Sequence, residues 1–98
     1  MIKLTSIPVR NPAVLSRSIV DDEMVLVNAD TAASLALTNK TAVIVWELVN
    51  GRNTVQDIVG GVEESFSDVP DNFKKDVLGF LELLDRDGYI GFELNGKD

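Results

Sequence analysis

The sequence predicts an α+β fold, a three-stranded antiparallel sheet followed by a three-helix bundle. Residues 13–28 alternate in strand fashion on either side of an Asp21-Asp22 pair. From residue 39 onward, three segments instead repeat apolar side chains at helical spacing. The connections between segments are short and rich in Asn, Asp and Gly, the residues that turns and helix ends favour.

The first strand, "AVLSRSIV" (13–20), places Val14, Ser16, Ser18 and Val20 on one face and Ala13, Leu15, Arg17 and Ile19 on the other. "EMVLVN" (23–28) is shorter and more apolar, and Asp21-Asp22 between the two is a tight turn. "NADTA" (28–32) has the same turn chemistry, and "ASLALT" (33–38) completes a meander with Leu35 and Leu37 on one face.

"LTNKTAVIVWELVNGRN" holds a conflict, because its β-branched run and Trp46 favour a strand. Helical spacing from Ala42 collects Val45, Trp46 and Val49, and Ile44 and Leu48 widen the stripe. Thr38 or Asn39 can cap the first amides, and Gly51 supplies a left-handed residue beyond the last turn. The β-branched residues cost tenths of a kcal/mol each, which burial of a Trp and several aliphatics outweighs. A helix is therefore expected.

The second helix starts at Thr54, with Asp57 standing in for the Glu of a capping box, and runs through Val55, Ile58, Val59, Val62 and Phe66. Gly60-Gly61 inside it is read as close helix packing, with a hinge as the other reading. The third helix is expected to begin near Asp68–Pro70, with Pro in the first turn, where its missing donor does no harm. Phe73, Val77, Phe80, Leu81 and Leu84 form its buried stripe, Leu78 and Leu83 lie on opposite flanks, and Gly88 ends it. "YIGFEL" (89–94) adds a short last strand. Strands first and a helix pair joined by "NGRN" afterwards make the whole winged-helix-like.

Ninety-eight residues suit one domain, expected over 1–98. A chain of this length buries roughly 60–65% of its unfolded surface. The sequence contains neither Cys nor His, which removes disulfides, thiolate chemistry and the commonest metal ligands. No cofactor or metal site is expected, and no export signal or membrane span is visible, so the expected location is cytoplasmic. Residues 1–20 carry Lys3, Arg10 and Arg17 and no acid, while the remainder holds all sixteen acids and a net −10.

The carboxylate clusters Asp21-Asp22-Glu23, Glu63-Glu64 and Asp85/Asp87 lie in turns or on polar helix faces, where solvation explains them. No phosphate loop or nucleophile elbow exists, so no enzyme and no catalytic residue is expected. Asn39-Lys40-Thr41 matches a glycosylation sequon but sits at a helix start, where capping accounts for it. The helix that would read DNA, "TVQDIVGGVEESF", holds no Lys or Arg and three acids, so nucleic acid is not an expected partner.

A sheet edge beside a helix remains. "ASLALT" is short, uncharged and built of small residues, without the charge or Pro that usually protects an edge. Beside it should run the third helix with Leu78 and Leu83 unused by the core stripe. Such a pair captures extended peptides by strand addition, unless the N-terminal segment or the last strand covers the edge. The candidate peptide-binding residues are Ala33, Ser34, Leu35, Ala36, Leu37, Leu78 and Leu83, with Lys74 or Lys75 if the peptide is acidic.

An ordered set of residues then resembles a known family. Val25-Leu26-Val27, Leu35 to Asn39, Trp46-Glu47-Leu48, Asn50-Gly51, Thr54-Val55 with Ile58, Asp76-Val77 with Phe80-Leu81 and Leu84, and Gly88 follow the pattern of pyrroloquinoline quinone biosynthesis protein D. These small peptide chaperones are also called RiPP recognition elements. The likeness covers about 13–91. It departs where Asn50 precedes Gly51, since the family usually has Asp there, and at Gly60-Gly61. The resemblance implies a domain that binds the leader region of a ribosomally made precursor peptide. It would present that peptide to a modifying enzyme, often a radical S-adenosylmethionine (radical SAM) protein. It also implies that the leader adds beside the third strand and packs on the third helix. A protein–protein adaptor without a groove and a winged-helix DNA-binding regulator are the alternatives, and a homodimer stays open.

Overall fold

In chain order the elements are β1 (Pro8–Arg10), β2 (Val14–Val20), β3 (Glu23–Asn28), β4 (Ser34–Leu37), α1 (Lys40–Leu48), α2 (Val55–Glu64), α3 (Phe73–Arg86) and β5 (Ile90–Phe92). The structure is a computed structural model, describing residues 2–66, 68 and 71–92. β2, β3 and β4 form the antiparallel meander in that spatial order. β1, which the sequence does not announce, pairs antiparallel with β5 in a separate two-stranded sheet, Arg10 opposite Ile90. Among the described residues, neither the N-terminal segment nor the last strand pairs with β4. Glu93 and Leu94, expected in that last strand, lie outside the described residues.

Asp21-Asp22 closes the β2–β3 hairpin with Asp22 at φ 63°, a left-handed conformation that Asp tolerates. The ladder slips between Ser18 and Val20, leaving a bulge near the end of β2. Central β3 turns Leu26, fully buried, toward the helices. On the opposite side Leu15 is paired with Val27 and is 64% exposed.

α1 is a helix, as the burial argument requires. The Asn39 side chain caps it, accepting from the Ala42 amide at 2.9 Å, and Ala42, Val45, Trp46 and Val49 are buried. At its other end Arg10 Nη2 donates to the Trp46 carbonyl at 2.6 Å, with the guanidinium 4.5 Å from the indole centroid. Burial pulls the Arg10 pKa below its ordinary value and nearby Glu47 opposes the shift; the group remains charged at neutral pH. Arg10 thus does what a cation in the last turn of α1 would do, and it ties β1 to that helix. Arg10→Ala is expected to cost about 1 kcal/mol and to shift Trp46 emission. Unchanged emission and urea midpoint would rule this clasp out.

α2 carries the full capping box. Asp57 N–H donates to Thr54 Oγ1 at 3.1 Å, and Thr54 N–H donates to Asp57 Oδ2 at 2.9 Å. Its other early amides are met by the N-terminal segment, Val55 by the Ser6 carbonyl and Gln56 by that of Leu4. The helix stops at Glu64, so Phe66 lies beyond it, half-buried against the core with the Lys40 ammonium 5.0 Å from its ring.

The glycine pair divides. A Cβ on Gly61 would come within 2.6 Å of Leu48 Cδ1, so close packing of α1 and α2 explains this residue; around Gly60 the space is open. The space at Gly79, exposed on α3, is also open. Gly60→Ala and Gly79→Ala are each expected to raise stability by about 0.5–1 kcal/mol, through helix propensity and a less flexible unfolded chain. A fall in the urea midpoint of either would mean that the backbone there needs glycine.

α3 begins at Phe73, with Asn72 at its N-cap, later than the expected start near Asp68–Pro70. Val69 and Pro70 themselves lie outside the described residues. Val77, Leu81 and Leu84 are fully buried, whereas Phe73 and Phe80, expected in the same stripe, are only half-buried at its margin. The helix is rotated so that its seam against α1 and β5 centres on Val77 and Leu81, bringing the aromatic rings toward one border. Among the described residues, no helix is long and apolar enough to cross a membrane.

Candidate functional site

The β4 edge opposite β3 has no strand partner among the described residues. Which of its groups are free follows from the register. The Asn28 amide donates to the Ala33 carbonyl at 2.9 Å, and Leu26 faces Leu35 while Met24 faces Leu37. Hydrogen-bonded pairs alternate along an antiparallel ladder. Leu35 and Leu37 therefore direct their backbone groups at β3, as does the Ala33 carbonyl, while the Ala33 amide donates to Thr31 Oγ1 at 3.2 Å. Ser34 and Ala36 direct theirs outward, two donors and two acceptors on an open edge.

Beside this edge lies a cavity of about 460 Å³. It is lined by Ala36 and Leu37 of β4, Asn39 and Thr41 at the start of α1, and Asp76 and Phe80 of α3. Thr38 and Ala42 complete it. β4 and α3 run antiparallel here: the Asn28 side chain, next to Ala33, donates to the carbonyl of Gly88 just after α3, while Leu37 shares the cavity with Asp76 and Phe80. From Ala33 to Leu37 an extended chain covers about 13 Å, and the α3 segment alongside is about as long. The cavity itself borders β4 at Ala36 and Leu37.

The expected site residues divide by flank. Phe80 and Asp76 stand four apart on α3, and Leu83 continues their stripe one turn further on, half-buried. Leu78 is half-buried against the core on the other flank, with Lys74 one turn before it; Lys74 and Lys75 are both exposed and neither lines the cavity. Leu37 is buried, Leu35 half-buried, and Ala33, Ser34 and Ala36 exposed. The sequence reading missed Asp76, Asn39 and Thr41 as cavity residues and used Phe80 only for the core. Helical spacing had already put Asp76 beneath Phe80, so part of that signal was present.

Asp76 makes no ion pair among the described residues, where the one such pair is Arg86 with Asp87 at 3.1 Å on the surface. The facing first turn of α1 contains no acid. The start of α2, where a helix-turn-helix would meet phosphate, has its amides taken by Thr54, Ser6 and Leu4. The Trp46 indole nitrogen is buried without an acceptor among the described residues. No cluster of acidic side chains among the described residues is arranged to hold a metal ion.

Residues 23–90 match the family model described as coenzyme PQQ synthesis protein D, PqqD. No curated protein matches the sequence significantly. Among solved structures the fold is similar to that of TbiB1 in complex with the TbiA(beta) leader peptide, with a TM-score of 0.71 and 22% identity. That likeness covers 92% of this chain and 99% of that chain.

Proposed function

The chain belongs to the family of coenzyme PQQ synthesis protein D, and from that premise we propose that it is a leader-peptide recognition module of peptide-modifying biosynthesis. A segment of a ribosomally made precursor adds as a strand to β4 and lays side chains into the groove between β4 and α3. The observation that carries this reading is the open edge of Ser34 and Ala36 beside the Phe80 cavity. Backbone bonds on such an edge supply affinity without regard to sequence, and the pocket supplies selectivity. The solved complex of TbiB1, similar in fold, holds a leader peptide, which supports the same use of this fold here.

In this reading the chain is one winged-helix-like unit over 1–98, with residues 13–91 as its core, and it acts in the cytoplasm. It turns nothing over alone and delivers the precursor to a separate modifying enzyme, which in the family it resembles is often a radical SAM protein. Ser34 and Ala36 bind through their backbones, and Phe80 and Leu83 through their side chains. Ala33, Leu35 and Leu37 hold the edge in register. Lys74, Lys75 and Leu78 stand on the far flank and fall outside the contact.

Titration of labelled leader peptides, encoded by small reading frames beside the gene, tests the proposal. Saturable binding at micromolar concentration or tighter is the expected result. Absence of binding for every neighbouring candidate would overturn it, and a salt-resistant gel shift with duplex DNA would favour the regulator reading instead.

A further inference from the structure

Resting on that reading, we infer that the segment taken into the groove pairs an apolar anchor with a basic residue, Lys or Arg, read by Phe80 and Asp76 respectively. Phe80 offers a half-exposed aromatic wall inside the cavity, and Asp76 lies one helical turn before it on the same wall. Neither side chain is spent elsewhere. Phe80 sits at the border of the core rather than within it, and Asp76 has no ion-pair partner among the described residues.

The opposing feature is the start of α1, whose N-terminus also borders the cavity and favours an acceptor. Its partial charge is about half of one elementary charge, and Asn39 already caps the Ala42 amide. Asp76 contributes a full negative charge. Among the lining residues it is the one charged group. Lys40 lies over the Phe66 ring, and Lys74 and Lys75 are on other faces of α3. The cavity is thus net negative on a chain that is itself −7, and an acidic peptide would meet repulsion where a basic one meets a partner. From the sequence, Lys74 or Lys75 is expected to contribute only if the peptide is acidic; a basic peptide is the opposite condition.

A random-peptide display selection on the immobilised full chain tests this without knowing the natural precursor. Enriched peptides should carry Lys or Arg within two residues of a large apolar side chain, and should be lost on the Ala36→Pro variant. Asp76→Asn, which keeps the side-chain shape, should weaken an enriched peptide about three- to tenfold and flatten its salt dependence. Asp76→Lys, checked for folding by circular dichroism, should shift enrichment toward acidic peptides. Enrichment that is lost on Ala36→Pro but shows no basic preference, with affinity unchanged in Asp76→Asn, overturns the charge inference and leaves the groove reading standing. Enrichment indifferent to Ala36→Pro, or none at all, overturns the groove reading itself.

Discussion

Leu84→Ala is expected to cost about 3 kcal/mol of folding stability. Leu84 has no exposed surface and sits with Val77 and Leu81 on the buried seam of α3. Truncation removes the transfer free energy of its methyl groups and leaves a cavity that rigid neighbours fill only in part. A chain of this size has a total stability of about 5–15 kcal/mol, so the variant approaches its unfolding limit at physiological temperature. Leu83→Ala, one residue away but half-buried on the groove flank, should cost less than about 1 kcal/mol and instead weaken peptide binding. Urea denaturation of the pair separates the two roles. Equal losses of stability would place Leu83 in the core and move the groove elsewhere.

Ala36→Pro is expected to weaken peptide binding by about 1–3 kcal/mol while the fold persists. Proline lacks the amide hydrogen, and at most strand positions that breaks the ladder. At Ala36 the register aims the amide away from β3, so the β3–β4 pairing keeps its bonds and only the incoming strand loses a donor. Leu35, as the preceding residue, is already extended, as a residue before proline must be. Leu35→Pro makes the matched comparison, because its amide faces β3, and it should unfold the sheet. A folded Ala36→Pro chain with full affinity would show that the edge is not the docking line.

The local signals were the legible ones. Thr54 with Asp57 announced a cap three residues long, and Asn39 another, because capping depends on neighbours in the chain. Trp46 and its aliphatic companions outweighed strand propensity for the same reason, since the stripe is visible within one segment. β1 was not legible. Three residues that include a proline carry no alternation, and their partner Ile90 lies at the other end of the chain. The start of α3 was misread because Pro70 is only a local licence to begin a helix, while packing determines where the helix starts. The site was half legible. The uncharged edge of "ASLALT" could be read directly, but a helical wheel fixes relative angles and not absolute rotation. Asp76 and Phe80 could therefore be grouped from sequence, yet assigned to the groove only once α3 was seen against β4.

An open three-stranded sheet ends in two raw edges, and a protein that accepted strands on both would be a link rather than a receptor. The bulge between Ser18 and Val20, with the charged Arg17 on the same strand, makes β2 a poor template. Growth by pairing can then proceed from β4 alone, and a single added strand exhausts it. Under the proposed strand addition, one guest per chain is the expected stoichiometry. Nascent extended segments in a crowded cell then find, among the described residues of this sheet, no second edge from which to extend a fibre.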